Sequence, residues 1–176
     1  MVKPADLIIR PCFQQDLELV QLIYAHHVMT GTGSFENEPP SLAEIDARWS
    51  KIVTKGWPFL VASPRQDLSR VLGFAYAAQF RERPAYSKTF EDSIYVAPSS
   101  MGEGVGSRLL AELLSMLALD GAREVLAVIG DRANVASAKL HAKAGFTHVG
   151  VMSNVGFKFD RWLDVVLMQR SLRAVQ

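Results

Sequence analysis

The sequence predicts one mixed α/β domain, and three observations carry that prediction. Residues Ser93–Leu110, SIYVAPSSMGEGVGSRLL, pass from an apolar, β-rich run through a proline and three alternating glycines into an amphipathic helix. The second half of the chain alternates strand, helix, strand and helix, which implies a βαβ crossover and parallel neighbours. The first half instead holds strand signals joined by a polar turn, which implies antiparallel pairing. A mixed central sheet flanked by helices satisfies all three.

Leu7 to Arg10 reads as the first strand, ended by Pro11. From Asp16 to Met29 the apolar residues Leu17, Val20, Ile23, Tyr24 and Val28 recur at helical spacing, and the run Thr30-Gly31-Thr32-Gly33-Ser34 stops the helix. Ser41 with Glu44 three residues on is a capping-box signature, starting a helix that passes Ile45, Trp49 and Ile52 to about Lys55 and is closed by Gly56. Pro58–Ala62 and Val71–Phe80 form a strand pair across the turn Pro64–Arg70. Arg81–Thr89 is a polar, proline-containing loop, and Glu91–Val96 is the strand leading to the glycines. Leu109, Leu110, Leu113, Leu114 and Leu117 then mark a helix starting near Gly104. Glu124–Ile129 is a nearly continuous apolar strand suited to burial on both faces. Ala133–Ala144 is helical up to Gly145, and Thr147–Met152 and Leu163–Arg170 read as closing strands.

At 176 residues, 49% of them apolar, the chain suits one domain over residues 1–176, with no repeat, linker or low-complexity tract. A formal charge of +1, with no basic cluster larger than Arg81, Arg83 and Lys88, argues against nucleic acid as the main partner. Cys12 is the sole cysteine, so no intrachain disulfide forms and a reducing compartment is expected. Met1–Arg10 has too short an apolar core for a signal sequence, and no run is long enough to span a bilayer. These features predict a cytoplasmic protein without a membrane partner. His26 and His27 have no Cys or acidic pair at metal-ligand spacing, so they read as structural or surface residues and no metal is expected.

The glycine run admits two readings. Gly102, Gly104 and Gly106 precede a helix whose first N–H groups lack intrahelical partners and whose dipole is positive there, an arrangement that receives a pyrophosphate on bare backbone. The other reading is an ordinary glycine-rich turn. The spacing fits neither the P-loop, since Gly106-Ser107-Arg108 lacks its Lys-Ser/Thr pair, nor the G-x-G-x-x-G dinucleotide fingerprint.

Asn134-Val135-Ala136-Ser137, then Leu140-His141 and Ala144-Gly145-Phe146, follow the run Gly102-Glu103-Gly104-Val105-Gly106 at a fixed distance. The two motifs together resemble the GCN5-related N-acetyltransferase (GNAT) superfamily, over most of the chain. Within it, Tyr86, Thr89, Glu91, Ser93-Ile94-Tyr95-Val96, the loop Phe35-Glu36-Asn37-Glu38-Pro39 and the tail Val155–Asp164 resemble the phosphinothricin and methionine sulfoximine N-acetyltransferases. The resemblance implies acetyl transfer from acetyl-CoA to the α-amine of a small glutamate- or glutamine-like amino acid. It also implies a cofactor strand splayed from its parallel neighbour, here Val125–Ile129. A peptide N-terminus or a polyamine as acceptor, or CoA binding without catalysis, are the alternatives. The pattern departs at Met101, where the superfamily usually has Gln or Arg, and at Glu103, where a basic residue is common; the lost side-chain contact is worth about 1–3 kcal/mol of CoA binding.

By the same resemblance Ile94, Tyr95 and Val96 offer backbone to the pantetheine arm and thioester, Gly102 to Ser107 hold the pyrophosphate, and Asn134 with Ser137 belongs to the second CoA motif, although an Asn there is also an ordinary helix cap. Glu91 reads from position alone as a strand-end charge, and the resemblance makes it the base for the amine. His141 stands where many members carry an acid tyrosine, and it is either a proton donor to the thiolate or a hydrogen-bonded helix histidine. Phe80, Arg81, Arg83, Tyr86 and Ser93 line the acceptor side, the arginines offering bidentate geometry to a carboxylate. Phe35, Glu38, Phe157 and Trp162 complete an apolar wall or form a contact between the protomers of a homodimer, since relatives usually pair.

Overall fold

The computed structural model describes residues 6–172. A seven-stranded sheet in the order β1-β2-β3-β4-β5-β7-β6 forms its centre. The strands are β1 (Leu7–Pro11), β2 (Phe59–Pro64), β3 (Gly73–Gln79), β4 (Thr89–Val96), β5 (Glu124–Gly130), β6 (Thr147–Lys158) and β7 (Arg161–Ser171). The helices are α1 (Leu17–Thr30), α2 (Leu42–Thr54), α3 (Val105–Leu119) and α4 (Val135–Lys143). The strands from β1 to β4 pair antiparallel, β4 with β5 parallel, and β7 antiparallel with both β5 and β6. The single parallel pair is the one joined through α3, as the crossover pattern predicts.

Period-two alternation gives each sheet face its own core. Leu60, Ala62, Ala75, Ala77, Phe90, Val125, Ala127 and Ile129 meet Leu109, Leu110, Leu113, Leu114 and Leu117 of α3. On the other face Phe59, Val61 and Phe74 meet Leu17, Val20, Ile23, Tyr24 and Val28 of α1 and Ile45 and Ile52 of α2. The capping box at Ser41 forms, with Glu44 Oε2 accepting from the Ser41 N–H at 2.7 Å, and Gly56 after α2 has φ 73°. Gly73 permits α3 to approach the sheet: a Cβ there would lie 2.8 Å from the Tyr95 carbonyl oxygen and 3.1 Å from Val105.

Most strand and helix ends shift from expectation by one or two residues, as at β2 (Phe59–Pro64), β3 (Gly73–Gln79), β4 (Thr89–Val96) and β7 (Arg161–Ser171), and the ends of β1 and β6 have a physical reason. Pro11 ends β1 as expected but is itself the strand's last paired residue, opposite Leu60, tolerated because β1 is an edge strand. β6 continues past Met152 to Lys158, and its register shifts between Met152 and Gly156, where Asn154 takes φ 56°. This irregularity breaks the alternation that would have announced the rest of the strand. Phe159 and Asp160, at φ 52° and 55°, make the tight turn into β7 without the usual Asn-Gly. Among the described residues no helix is long and apolar enough to cross a membrane.

Candidate active site

The site is built where β4 and β5 part. Their ladder runs from Thr89↔Glu124 only to Asp92↔Ala127. Beyond it β4 stays with β3 as far as Val96↔Gly73, and β5 stays with β7 as far as Gly130↔Val165. Ser93–Val96 therefore turns a strand edge toward Val128–Gly130 across a wedge-shaped gap. Such an edge is a template for an extended ligand carrying donors and acceptors of its own. At the end of β4, His27 of α1 donates from Nε2 to the Val96 carbonyl at 2.8 Å, and burial holds its pKa below the ordinary histidine value. His27 thus holds the end of β4, a structural post rather than a surface residue.

The mouth of the gap is the glycine run. Gly102 (φ 78°) and Gly104 (φ 82°) occupy backbone space that a side chain would strain, and Gly104 is the N-cap of α3. Arg108 N–H makes the first bond of the helix, to the Gly104 carbonyl at 3.1 Å, so the amides of Val105, Gly106 and Ser107 precede the ladder at the positive end of the dipole. Gly106 plays a lesser part: a Cβ there would sit in ordinary contact, 3.5 Å from Leu140 and Val96. Those contacts do place α4, the α3 N-terminus and the β4 edge around one space. Met101 is 51% exposed beside the run and carries no charge.

α4 closes the gap from the other side. Asn134 caps it, its Oδ1 accepting from the Ser137 N–H at 3.2 Å, while its Nδ2 faces Gly33. His141 is 4% exposed, and both ring nitrogens are engaged: Nδ1 donates to the Ser137 carbonyl at 2.8 Å and Nε2 meets Asp92 Oδ2 at 2.9 Å. Burial lowers the His141 pKa, but the Asp92 bond and charge outweigh it and the net shift is upward. Asp92 is the last residue of the parallel ladder, so this pair ties α4 to the point of divergence. As placed, neither nitrogen is free to give a proton to a leaving thiolate. Asp92 escaped the sequence reading although its signal was present, a charged residue at an inward position between Phe90 and Ile94.

Glu91 lies on the opposite face, with Ser93 and Tyr95, over the aromatic floor of Phe59, Phe74 and Tyr76. Tyr76 and Ser93 are direct cross-strand partners on this face. The Glu91 carboxyl is half-buried and its pKa is raised, chiefly by desolvation and further by the charge of Asp92, with Arg81 opposing the shift. The nearby acid that is engaged is Glu36, not the exposed Glu38: Glu36 takes a fork of bonds from Arg48 at 2.7 and 3.2 Å and a third from the Tyr24 hydroxyl at 2.8 Å. Phe35 is wedged between Gly130 and Gly156, where a Cβ at either would overlap its ring. Buried Lys158 holds the same loop through the Gly31 and Ser34 carbonyls at 2.9 and 2.7 Å. Arg81, Arg83 and Tyr86 are exposed on the β3–β4 loop, with the Tyr86 ring on edge to Phe80 at 5.8 Å. Phe157 and Trp162 contact each other at 5.2 Å on the β6–β7 hairpin and stay exposed. Among the described residues no group of His, Cys, Asp and Glu could hold a metal ion.

The acetyltransferase (GNAT) domain model matches residues 9–167. The chain belongs to the GNAT acetyltransferases. Among GNAT relatives, a phosphinothricin N-acetyltransferase of Alcaligenes faecalis is 48% identical over 166 residues, 94% of this chain and 83% of that one. An L-methionine sulfoximine/L-methionine sulfone acetyltransferase of Pseudomonas aeruginosa is 35% identical over 164 residues, covering 93% of this chain and 94% of its own. The crystal structure of a GNAT phosphinothricin acetyltransferase from Sinorhizobium meliloti, in complex with acetyl-CoA, superposes with a TM-score of 0.90 at 40% identity, covering 94% of this chain and 88% of that one. The splayed β4–β5 pair and the glycine-capped α3 are thus this chain's version of the GNAT fold.

Proposed function

We propose that residues 1–176 form one N-acetyltransferase domain that moves the acetyl group of acetyl-CoA to the α-amine of a small amino acid of the phosphinothricin or methionine sulfoximine type. The observation that carries this reading is the parting of β4 from β5 beside the glycine-capped start of α3, in a chain 48% identical to a phosphinothricin N-acetyltransferase. Glu91, half-buried with its pKa raised by desolvation, supplies a base on β4, and Arg81 and Arg83 on the exposed β3–β4 loop supply cations. An α-amino acid has its amine and carboxylate on one carbon and satisfies both.

Acetyl-CoA supplies an activated acetyl thioester. The backbone of Gly102 to Ser107, with the Val105, Gly106 and Ser107 amides ahead of the α3 ladder, suits its pyrophosphate, and the β4 edge at Ser93–Val96 suits an extended arm and offers N–H groups to the thioester oxygen. Asn134 and Ser137 flank that path from α4. Glu91 takes the proton that the acceptor ammonium must lose, directly or through water, leaving the nitrogen lone pair free to attack; as the C–N bond forms the C–S bond breaks, and the second proton lost from the nitrogen balances the CoA thiolate that leaves as thiol. Holding both substrates in the gap makes that attack effectively unimolecular. Of the two roles open to His141, its doubly bonded geometry supports holding α4 in place. Arg81 and Arg83 hold the acceptor carboxylate, and Phe35, Phe80 and Tyr86 border the pocket.

The same reading has the enzyme work in the cytoplasm as a homodimer. Support comes from the buried, unpaired Cys12 and from exposed Val149, Met152, Val155, Phe157 and Trp162 along the β6–β7 hairpin. The test is thiol release from acetyl-CoA with phosphinothricin, methionine sulfoximine and methionine sulfone, beside a dipeptide and spermidine. Turnover with the amino acids is expected; turnover confined to the dipeptide or spermidine overturns the acceptor class.

A further inference from the structure

The β3–β4 loop that carries Arg81 and Arg83 is held by one side chain that belongs to neither the cofactor cleft nor the acceptor pocket. Gln79, partly buried, is the last residue of β3, fixed opposite Phe90 of β4, and the ladder closes just beyond it with the Phe80 N–H on the Thr89 carbonyl at 3.0 Å. From this rigid end its Nε2 donates to the Arg81 carbonyl at 2.5 Å and to the Arg83 carbonyl at 3.1 Å. A carboxamide has two N–H donors, and both are spent on the backbones of the two arginines. The Arg83 carbonyl also accepts the Tyr86 N–H at 3.0 Å, so the clamp reaches the turn Pro84–Tyr86. Arg81 in turn lays its guanidinium over the Phe80 ring at 4.8 Å.

We infer that Gln79 is a positioning residue for the acceptor carboxylate, presetting the two guanidinium groups by fixing the peptide units that bear them. The inference rests on the reading that Arg81 and Arg83 hold that carboxylate. The other tie to the loop, Lys51 to Glu82 at 3.2 Å, joins side chains that are 65% and 84% exposed and restrains little. Without the clamp the arginines must be ordered at each binding event, and that cost falls on acceptor affinity, not on the cofactor cleft, where no atom of Gln79 is engaged.

The experiment compares Gln79→Leu, which has no donor, and Gln79→Glu, which keeps the shape but sets a carboxylate against two carbonyl oxygens, with the unaltered chain, Arg81→Ala, Arg83→Ala and the variant lacking both arginines. Steady-state kinetics are taken against phosphinothricin and acetyl-CoA, with a thermal melt of each variant. Both Gln79 variants are expected to fold, to raise the KM for phosphinothricin about five- to tenfold, the scale of one or two lost hydrogen bonds, and to leave kcat and the acetyl-CoA KM within about twofold. In the background lacking both arginines, Gln79→Leu is expected to add nothing. A phosphinothricin KM unmoved by Gln79→Leu while the arginine variants raise it, or a parallel change in kcat and both KM values, overturns the clamp. A phosphinothricin KM unmoved by the arginine variants overturns the carboxylate reading beneath it.

Discussion

Replacing His141 with leucine leaves Asp92 buried with no partner on either oxygen. In the intact protein the two side chains are 5% and 1% exposed, Oδ2 meets His141 at 2.9 Å, and Oδ1 already lacks a partner. Removing one member of such a pair costs about 3–5 kcal/mol, since the remaining charge stays out of water. For a domain of this size each kcal/mol is worth about 2–4 °C, so the midpoint should fall by about 6–20 °C. Replacing both members with leucine removes the orphaned charge and should restore most of the loss. The pH dependence has a definite sign. The folded pKa of His141 is raised above 6.5, so the stability from the pair is fully present below that value and is lost as pH rises through the folded pKa. The gap between wild type and His141→Leu should be widest below the ordinary histidine value and narrow as pH rises through the raised pKa of His141, read by calorimetry or urea titration. A double variant as unstable as the sum of its singles, or a gap independent of pH, would refute the buried-pair account.

Glu91→Gln should cut turnover most in the neutral range and remove the low-pH limb of the rate profile, which burial places above the ordinary carboxylate value; the loss should shrink at alkaline pH, where the acceptor amine is already neutral. An unchanged pH–rate profile would remove Glu91 from the chemistry. Gly156→Ala sets a methyl group into the Phe35 ring and should dislodge the Thr30–Glu36 loop, costing about 1–3 kcal/mol of stability and raising the acceptor KM. Met101→Arg should lower the KM for acetyl-CoA roughly five- to tenfold by adding a charge-assisted contact beside the glycine run; isothermal titration with CoA measures it directly.

The parts of the fold legible in the sequence are those where local chemistry and tertiary role agree. Pro98 follows the end of the β4 ladder and Gly102 and Gly104 lead into α3, so this strand–turn–helix passage could be read residue by residue, as could the Ser41–Glu44 cap. The hairpin of β6 and β7 was less legible: its turn uses Phe159 and Asp160 at positive φ, and its long strand is interrupted at Asn154. Contacts between distant segments left the weakest trace. The Val96 carbonyl held by His27 and the Asp92–His141 tie depend on which segments become neighbours, and single positions do not encode that. For Gly156, the glycine was visible, whereas its reason, the Phe35 ring more than a hundred residues earlier, was not.

The central claim, that the β4–β5 gap delivers an acetyl group to an amino-acid α-nitrogen, is tested most directly by locating the transferred carbon. With carbon-13 acetyl-CoA, phosphinothricin and the unaltered protein, the account predicts one product whose labelled carbonyl is bonded to the α-nitrogen by NMR, formed in step with free CoA and nearly abolished by Glu91→Gln at neutral pH. Label left on CoA with phosphinothricin, methionine sulfoximine and methionine sulfone alike, by a folded protein that binds CoA, would contradict it.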